Sequence, residues 1–220
     1  MIASITTLLG LLALTGATPV PQTPEQLSKA KAYNLQIQLL DPTKDLDPPV
    51  AGQFLSTYHD GAGLNLAVVS DYPAGYAPPP FYTNGTAALG ASDVLNDLGT
   101  AYPWGIRVYD PSTFDYAYPG EHDVRVDVAG GTDGIGLVPS SGGAVRLGGL
   151  APGNYAVCNR YIAYGAGNLT VVRYVYEGEA LPDGCVGVDF VPLCAALDDL
   201  PAGSEWTHDF VQEVDCVAPA

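Results

Sequence analysis

The sequence predicts an all-β domain: a single β-sandwich of about ten short antiparallel strands, with a barrel as the second choice. Three observations support this class. The chain of 220 residues contains 26 glycines and 19 prolines, a composition that suits frequent turns and short strands. Apolar and polar residues alternate in several runs, as they do in half-buried strands. Four cysteines are available to join such strands covalently.

The first half of the chain supplies the clearest alternating runs. Residues 31–40 place Tyr33, Leu35, Ile37 and Leu39 on one face and polar side chains on the other. Residues 53–58 and 64–70 flank a glycine-containing turn at His59–Gly63, which predicts a hairpin. A loop rich in proline and tyrosine leads to a short strand at Phe81 and Tyr82. One short helix is expected at residues 91–98, with Ser92 as its N-cap.

The second half continues with short strands. Residues 106–109 are strand-like, and residues 123–128 alternate so that Val124, Val126 and Val128 face inward. Residues 134–138 and 144–147 form a hairpin around a Ser-Ser-Gly-Gly turn. Three more strands are expected between Gly153 and Cys194, followed by a helical turn at residues 195–199.

The chain divides into four predicted segments. Residues 1–17 predict a cleaved secretory signal, because the apolar run Leu8–Leu14 is followed by the small residues Thr15-Gly16-Ala17. Residues 18–30 form a flexible, proline-bearing leader, residues 31–194 the β-sandwich domain, and residues 195–220 a tail tethered by a disulfide. No other segment is long and apolar enough to span a bilayer, so no membrane span is expected.

Charge and motifs exclude several function classes. The formal net charge of −16 repels nucleic acid and anionic lipid, so neither is expected as a partner. Phosphate-binding, dinucleotide-binding and zinc-protease motifs are missing, and neither a cofactor nor a metal is predicted. We expect a monomer.

The four cysteines predict disulfides, since an even number in a secreted chain is usually oxidised. Of the three ways to pair them, Cys158 with Cys185 and Cys194 with Cys216 is favoured, because both loops are moderate and do not cross. Each bond would contribute roughly 3 kcal/mol in the loop-entropy account. A zinc site is the rival interpretation, but no C-x-x-C spacing supports it.

Several segments occur in the order found in a known family. They are YHDGAGLNLAVVS at residues 58–70, FYTNGT at 81–86, YPWG at 102–105, YAVC at 155–158, RYVY at 173–176 and the run 185–192. In these segments the chain resembles a family of small secreted fungal proteins known only as a domain of unknown function. The resemblance implies secretion, a mostly β fold and a Cys158–Cys185 bridge, but no activity and no catalytic residues. Cys194 and Cys216 depart from the family pattern.

Candidate site residues are few. Asn84 and Asn168 begin N-glycosylation sequons in turn-like surroundings. Tyr58, His59, Asp60, Tyr82 and Trp104 are candidate ligand contacts, since aromatic side chains in loops can stack on sugar rings. No catalytic residue is assigned. Asp189 has apolar neighbours in sequence, and we interpret it as a solvent-facing position.

These observations favour a secreted, non-enzymatic glycoprotein that binds glycan or cell-wall material. One alternative is a secreted acidic hydrolase, such as a glycosidase with an unidentified carboxylate pair. Another is an effector-like protein that binds a partner protein. The stretch Gly153–Cys194 is interpreted as scaffold, so a site is expected in the loops between Tyr58 and Gly120.

Overall fold

The computed structural model contains strands, turns and loops but no helix in the residues it describes, which are 27–73, 76–86, 91–109, 118–140, 143–149, 152–163 and 167–219. The strands are β1 Leu27–Ala30, β2 Ala32–Leu39, β3 Phe54–Gly61, β4 Leu64–Ser70, β5 Phe81–Thr86, β6 Ala91–Asn96, β7 Trp104–Val108, β8 His122–Val128, β9 Leu137–Pro139, β10 Val145–Leu147, β11 Gly153–Ile162, β12 Gly167–Tyr176, β13 Cys185–Ala195 and β14 Val214–Val217. The all-β class is confirmed. The predicted signal at residues 1–17 lies outside the described residues.

Twelve of these strands belong to one continuous sheet. The whole of β2 is paired with β13, from Ala32 opposite Ala195 to Leu39 opposite Val188. From β13 the pairing passes through β11, β12, β4 and β3 and returns to β2, so these strands form a closed ring. A second path leads from β2 through β5, β6 and β7 to β8, which pairs with β4 and β12. β9 and β10 form a separate hairpin, as predicted.

The main core fills the space enclosed by these strands. Its largest members are aromatic and aliphatic side chains with at most 4% of their surface exposed, among them Tyr33, Leu35, Phe81, Ile106 and Phe190. They come from strands far apart in sequence, because alternate residues of each strand face the same side. The alternation noted for β2 therefore identifies its core face correctly.

β8 differs from an ordinary half-buried strand because both of its faces are buried. Val124 and Val126 contribute to the main core, as predicted, whereas Val128 at the strand end is 37% exposed. On the opposite face Asp123, Arg125 and Asp127 are buried, Arg125 completely. Charged side chains are almost never fully buried unless they are paired, so this face requires partners from other strands.

The partners come from three other strands and one turn. Together they form an ion network made of Asp60, Glu121, Asp123, Arg125, Asp127, Arg160 and Arg173. Its two groups of ion pairs are linked by the attraction between the charges of Asp123 and Arg125. Glu121 lies at its centre, accepting hydrogen bonds from Nη2 of Arg160 at 2.6 Å and from Nε of Arg173 at 2.9 Å. Nη1 of Arg173 lies 2.9 Å from Oδ1 of Asp123. Arg125 donates to Asp60 at 2.6 Å, which ties the end of β3 to β8.

The network determines the charge state of Glu121. Burial on its own would raise the pKa of this carboxyl, but the hydrogen bonds and positive charges of Arg160 and Arg173 together outweigh that effect. The pKa of Glu121 is therefore lowered from its ordinary value. Its carboxylate stays ionised at neutral pH and holds β11 and β12 to the turn before β8.

Both disulfides join neighbouring elements. Cys158 and Cys185 are opposite each other in the β11–β13 ladder and are bonded to each other. Cys194, near the end of β13, is bonded to Cys216 in β14. These are the two pairs that the sequence analysis favours, because their loops are moderate in length and do not cross. The second bond fixes the tail beside β1, since Leu27–Ala30 pairs with Val214–Val217.

Three local expectations are wrong. Residues 91–96 form strand β6 rather than a helix, because they pair with β5 along its length and with β7 at their end. Residues 195–199 do not form the expected helical turn, since Ala195 ends β13 and residues 196–199 have no regular structure. His59 and Asp60 belong to β3, which continues past a bulge to Gly61, so the turn narrows to Ala62 and Gly63. Gly63 adopts a φ of +73°, which glycine tolerates best.

Replacing Gly105 by alanine should destabilise the fold. A Cβ at Gly105 would overlap with the backbone of Gly130 and Gly131, which rest on β7 and have no side chains to move aside. We expect a loss of about 1–3 kcal/mol in the free energy of unfolding, measured by urea denaturation. Gly136→Ala is the matched control, because its Cβ would meet nothing within 4 Å. If Gly105→Ala and Gly136→Ala had equal urea denaturation midpoints, the close packing of β7 against Gly130 and Gly131 would be contradicted.

Candidate functional site

The sequence-predicted contacts on β3 belong to the framework of the protein. The Tyr58 side chain packs against the cluster formed by Leu66, Val68, Cys158, Ile162 and Val171. Asp60 is held by Arg125 in the ion network. His59 is exposed, and its Nδ1 lies 3.0 Å from Oδ1 of Asn65 on the facing strand. These three residues are neighbours along one strand, but they line none of the four concavities found among the described residues.

Tyr82 and Trp104 also have structural contacts. Tyr82 is fully buried, and its hydroxyl donates to Oδ1 of Asp97 at 2.6 Å. Nε2 of His208 lies 2.9 Å from the other oxygen of Asp97. Trp104 is half-buried against the main core and donates from Nε1 to Oγ1 of Thr100 at 2.8 Å. The five candidate residues therefore do not come together in one site. Their role as ligand contacts stays a prediction.

A groove lies in the stretch that the sequence analysis interpreted as scaffold. It encloses about 500 Å³ at one end of the β12–β11–β13 ladder. The start of β11, the end of β12, the turn after β12 and the start of β13 form its walls, and the loop after β2 closes one side. Its lining residues are Leu40, Asp41, Lys44, Pro152, Gly153, Asn154, Tyr155, Val175, Tyr176, Glu177, Gly178, Glu179, Leu181, Cys185, Val186 and Gly187.

A stack of aromatic rings supports this groove. Phe190 in the core meets Tyr155 edge-to-face at 5.5 Å, and Tyr155 meets Tyr174 at 5.1 Å. Tyr174 in turn meets Tyr176 at 5.1 Å, and Tyr176 meets His122 at 4.7 Å. The first three rings are buried, whereas Tyr176 is half-buried and lines the groove. Because its neighbours fix the ring, Tyr176 offers an apolar surface that needs little further ordering.

Two carboxylates border the aromatic surface. Glu179 accepts a hydrogen bond from the backbone N–H of Tyr176 at 2.9 Å, and its other oxygen lies 3.1 Å from Nε2 of His122. These two contacts, that of His122 first, lower the pKa of Glu179. Glu177 is exposed beside it. The cation in the wall, Lys44, lies 3.2 Å from Asp41 and is paired with it. The groove therefore carries excess negative charge.

A second concavity of about 470 Å³ adjoins the groove and shares its Pro152–Tyr155 wall. Arg146 lines it and donates from Nη1 to Oδ1 of Asp189 at 2.6 Å and to Oδ1 of Asn154 at 3.4 Å. The solvent-facing interpretation of Asp189 is therefore wrong. Its side chain is 20% exposed, and the carboxylate is neutralised by Arg146. The two concavities thus lie next to each other along the start of β11.

The groove's chemistry suits binding. Its only sulfur-bearing residue, Cys185, is oxidised in a disulfide, and its described lining includes no serine or threonine hydroxyl. Among the described residues, no group of three or more His, Cys, Asp and Glu side chains has the arrangement of a metal site. Likewise, no helix in the described ranges is long and apolar enough to cross a membrane. The groove offers one fixed aromatic ring together with amide and carboxylate oxygens, which are contacts for a ligand that is part apolar and part polar.

The two sequons lie in strands rather than in turns. Asn84 is in β5, between Asp93 of β6 on one side and a bridge to Val211 on the other. Its side-chain oxygen is shielded from solvent. Asn168 is the second residue of β12 and is exposed.

Fold and site together define the class: a disulfide-linked, all-β protein with an aromatic-lined groove at one end of its sheet. The chain belongs to the family described as "Domain of unknown function (DUF7907)", which matches residues 30–194. The resemblance to this fungal family is confirmed. The chain is similar to "Antigenic protein SchS34" of Stachybotrys chartarum, with 29% identity over 210 residues that cover 90% of each chain. No solved structure matches it.

Proposed function

We propose that this chain is a secreted, non-enzymatic binding protein and that its groove takes a neutral glycan, such as a segment of a cell-wall polymer. The observation that carries the proposal is the fixed ring of Tyr176 within a groove of about 500 Å³. That volume falls within the range of small-ligand pockets and accommodates a short run of sugar units.

Sugar rings suit this groove because each has an apolar face and a polar edge. The face of a sugar can stack on Tyr176, as apolar groups do on aromatic rings. The edge hydroxyls can donate to Glu179, whose carboxylate is held in place, and can reach the side-chain amide of Asn154. The adjoining concavity beside Arg146 would receive the next unit of a chain.

Local charge argues for a neutral ligand. Lys44 and Arg146 are each paired with a carboxylate, Asp41 and Asp189, so the two cations add no net positive charge to this surface. Glu177 and Glu179 stand beside the aromatic surface, and the whole chain carries a formal charge of −16. Acidic sugars would be repelled by this field.

Secretion is supported by two observations and by one prediction from the sequence. Two disulfides persist best in an oxidising compartment. A relative of similar length carries the name antigenic protein. The predicted signal at residues 1–17 accounts for export. Intact mass measured on protein from the culture medium should show loss of residues 1–17 and four oxidised cysteines.

A hydrolase is the second candidate, and one observation favours it. The pKa of Asp93 is raised, first by burial and then by the neighbouring charge of Asp133, as suits a general acid. Both carboxylates lie outside the groove, near Arg107 and the concavity that Arg107 and Asp133 line. Release of soluble sugars from a polymer, abolished by Asp93→Asn, would favour this candidate over simple binding.

Removing the Tyr176 ring should weaken glycan binding about tenfold, because the stacking surface is lost. The test is retention on insoluble chitin, β-glucan, cellulose and mannan, followed by calorimetry with oligomers of the polymer that retains the protein. Tyr176→Ala should lose most of its affinity, and Tyr176→Phe should keep it. Tyr102→Ala, which removes a tyrosine that is 51% exposed elsewhere, is the matched control.

Two outcomes would contradict the proposal. If none of the polymers retains the unaltered protein, the glycan assignment is wrong. If Tyr176→Ala and Tyr102→Ala bind equally well, the ligand lies outside the groove.

A further inference from the structure

We propose that Asn168 carries an N-linked glycan and that the first sugar of this glycan stacks on the ring of Tyr161. The inference rests on secretion as proposed above, but it does not depend on what the groove binds. It follows from the register of one hairpin, β11–β12, and from the exposure of two side chains on it.

The register makes Tyr161 and Asn168 cross-strand neighbours. They are direct partners in the antiparallel β11–β12 ladder. Direct partners place their side chains on the same face of the sheet, with Cβ atoms about 4.5–5.5 Å apart. A sugar attached to the Asn168 amide therefore begins beside the tyrosine ring.

The next pair along the hairpin shows which face this is. Asn159 and Thr170, two residues further along each strand, have side chains in contact, with the Thr170 hydroxyl donating to Oδ1 of Asn159 at 2.9 Å. Side chains two residues apart on a strand share a face. The intervening Arg160 points the other way, into the ion network. Tyr161, Asn168 and Thr170 therefore share the outward face.

Exposure makes this face available. Tyr161 is 59% exposed, and Asn168 is exposed beside it. The backbone N–H of Tyr161 is anchored by the Tyr118 hydroxyl at 3.1 Å, so the strand carrying the ring is fixed in place. An exposed aromatic ring next to a modifiable amide is a ready surface for the apolar face of a sugar.

The chemistry is the ordinary transfer from a lipid-diphosphate-linked oligosaccharide. The amide nitrogen of Asn168 forms a bond to the anomeric carbon and gives up one proton. The bond from that carbon to the diphosphate breaks, and the diphosphate leaves with the electron pair and, in the overall balance, takes up the proton that the amide has lost. In the folded hairpin the Thr170 hydroxyl, which completes the sequon, donates to Oδ1 of Asn159.

The experiment uses the full chain expressed in a secreting yeast. Peptide mapping with a deglycosylation that converts the modified Asn to Asp reports whether Asn168 carries glycan. Asn168→Gln and Thr170→Val should each remove one glycan from the intact mass. Asn84→Gln reports separately on the other sequon.

Stacking is tested by combining substitutions. In a double-mutant cycle of Asn168→Gln with Tyr161→Ala, the folded-to-unfolded equilibrium constant should show a coupling of about two- to tenfold. The same cycle with Tyr102→Ala, an exposed tyrosine elsewhere, should show none.

Each contrary result has its own meaning. Protein in the medium without glycan on Asn168 overturns this inference and leaves secretion intact. If Asn168 carries glycan but the double-mutant cycle shows no coupling with Tyr161, the proposed stacking is wrong. Unmodified protein retained in the cells overturns the inference together with secretion.

Discussion

Arg173→Met will lower the free energy of unfolding by about 3–5 kcal/mol, the cost of removing one partner from a buried ion pair. Arg173 is 1% exposed and bridges two acidic residues, Glu121 at 2.9 Å and Asp123 at 2.9 Å. Without it, both carboxylates lose a cation, and the Asp123 side chain is fully buried while that of Glu121 is only 11% exposed. Urea denaturation followed by tryptophan fluorescence gives the value at pH 7.

The matched control removes an ion pair at the surface. Lys29 lies 2.8 Å from Asp215, with side chains that are 62% and 49% exposed. Lys29→Met should cost at most about 1 kcal/mol, because water screens exposed pairs. If Arg173→Met costs no more than Lys29→Met, the ion network does not stabilise the fold.

The same ion network predicts how the loss of unfolding free energy caused by Arg173→Met depends on pH. The pKa of Glu121 is lowered in the folded protein, so its contribution to stability is present above the ordinary value of 4.5. That contribution is lost as the pH falls through the folded pKa. The difference between the unaltered protein and Arg173→Met should therefore shrink in acid.

Loss of the Cys158–Cys185 disulfide is the second large effect. The bond closes a loop of 27 residues, for which the loop-entropy account gives about 3.5 kcal/mol. The double variant Cys158→Ala, Cys185→Ala should lose about that much in global unfolding free energy. Cys158 is fully buried, and Nη2 of Arg160 lies 3.0 Å from the Cys185 sulfur, so the loss also disturbs the ion network.

The Cys194–Cys216 bond is the natural comparison, since its 22-residue loop has nearly the same length. Its removal should act locally. β14 is paired in the ladder with β13 only at Leu193 and Val217, so the tail and β1 should open together before the rest of the sheet. Hydrogen exchange should show loss of protection confined to β1 and β14. Equal loss of protection throughout the sheet would contradict this distinction.

Sequence patterns predicted the parts of the fold in which one face of a strand is polar. In β2, Leu35 and Ile37 alternate with glutamines, so period-2 alternation identified both the strand and its core face. β6 was missed because Ala91–Asn96 contains one β-branched residue, Val94, and composition alone favoured a helix. Pairing on both sides overrides that preference.

The ion network and the groove could not be predicted in the same way. Arg125 and Asp60 are 65 residues apart, and neither residue's neighbours indicate that it is buried. The groove joins Leu40, Asn154, Tyr176 and Gly187, which only the strand order brings together. The alternating aromatic run Tyr174–Tyr176 was the available signal, and it was interpreted as scaffold.

β13 also fixes the orientation in which the protein could be tethered. Its first residues, Cys185–Gly187, line the groove, and Leu193 near its other end meets Val217. Leu27 pairs with Val217 too, so both described ends of the chain emerge at one place. Six residues of strand, or roughly 20 Å, separate that place from the groove. A fluorophore, display anchor or immobilising tag placed at Val217 would therefore sit at the end of β13 opposite the groove.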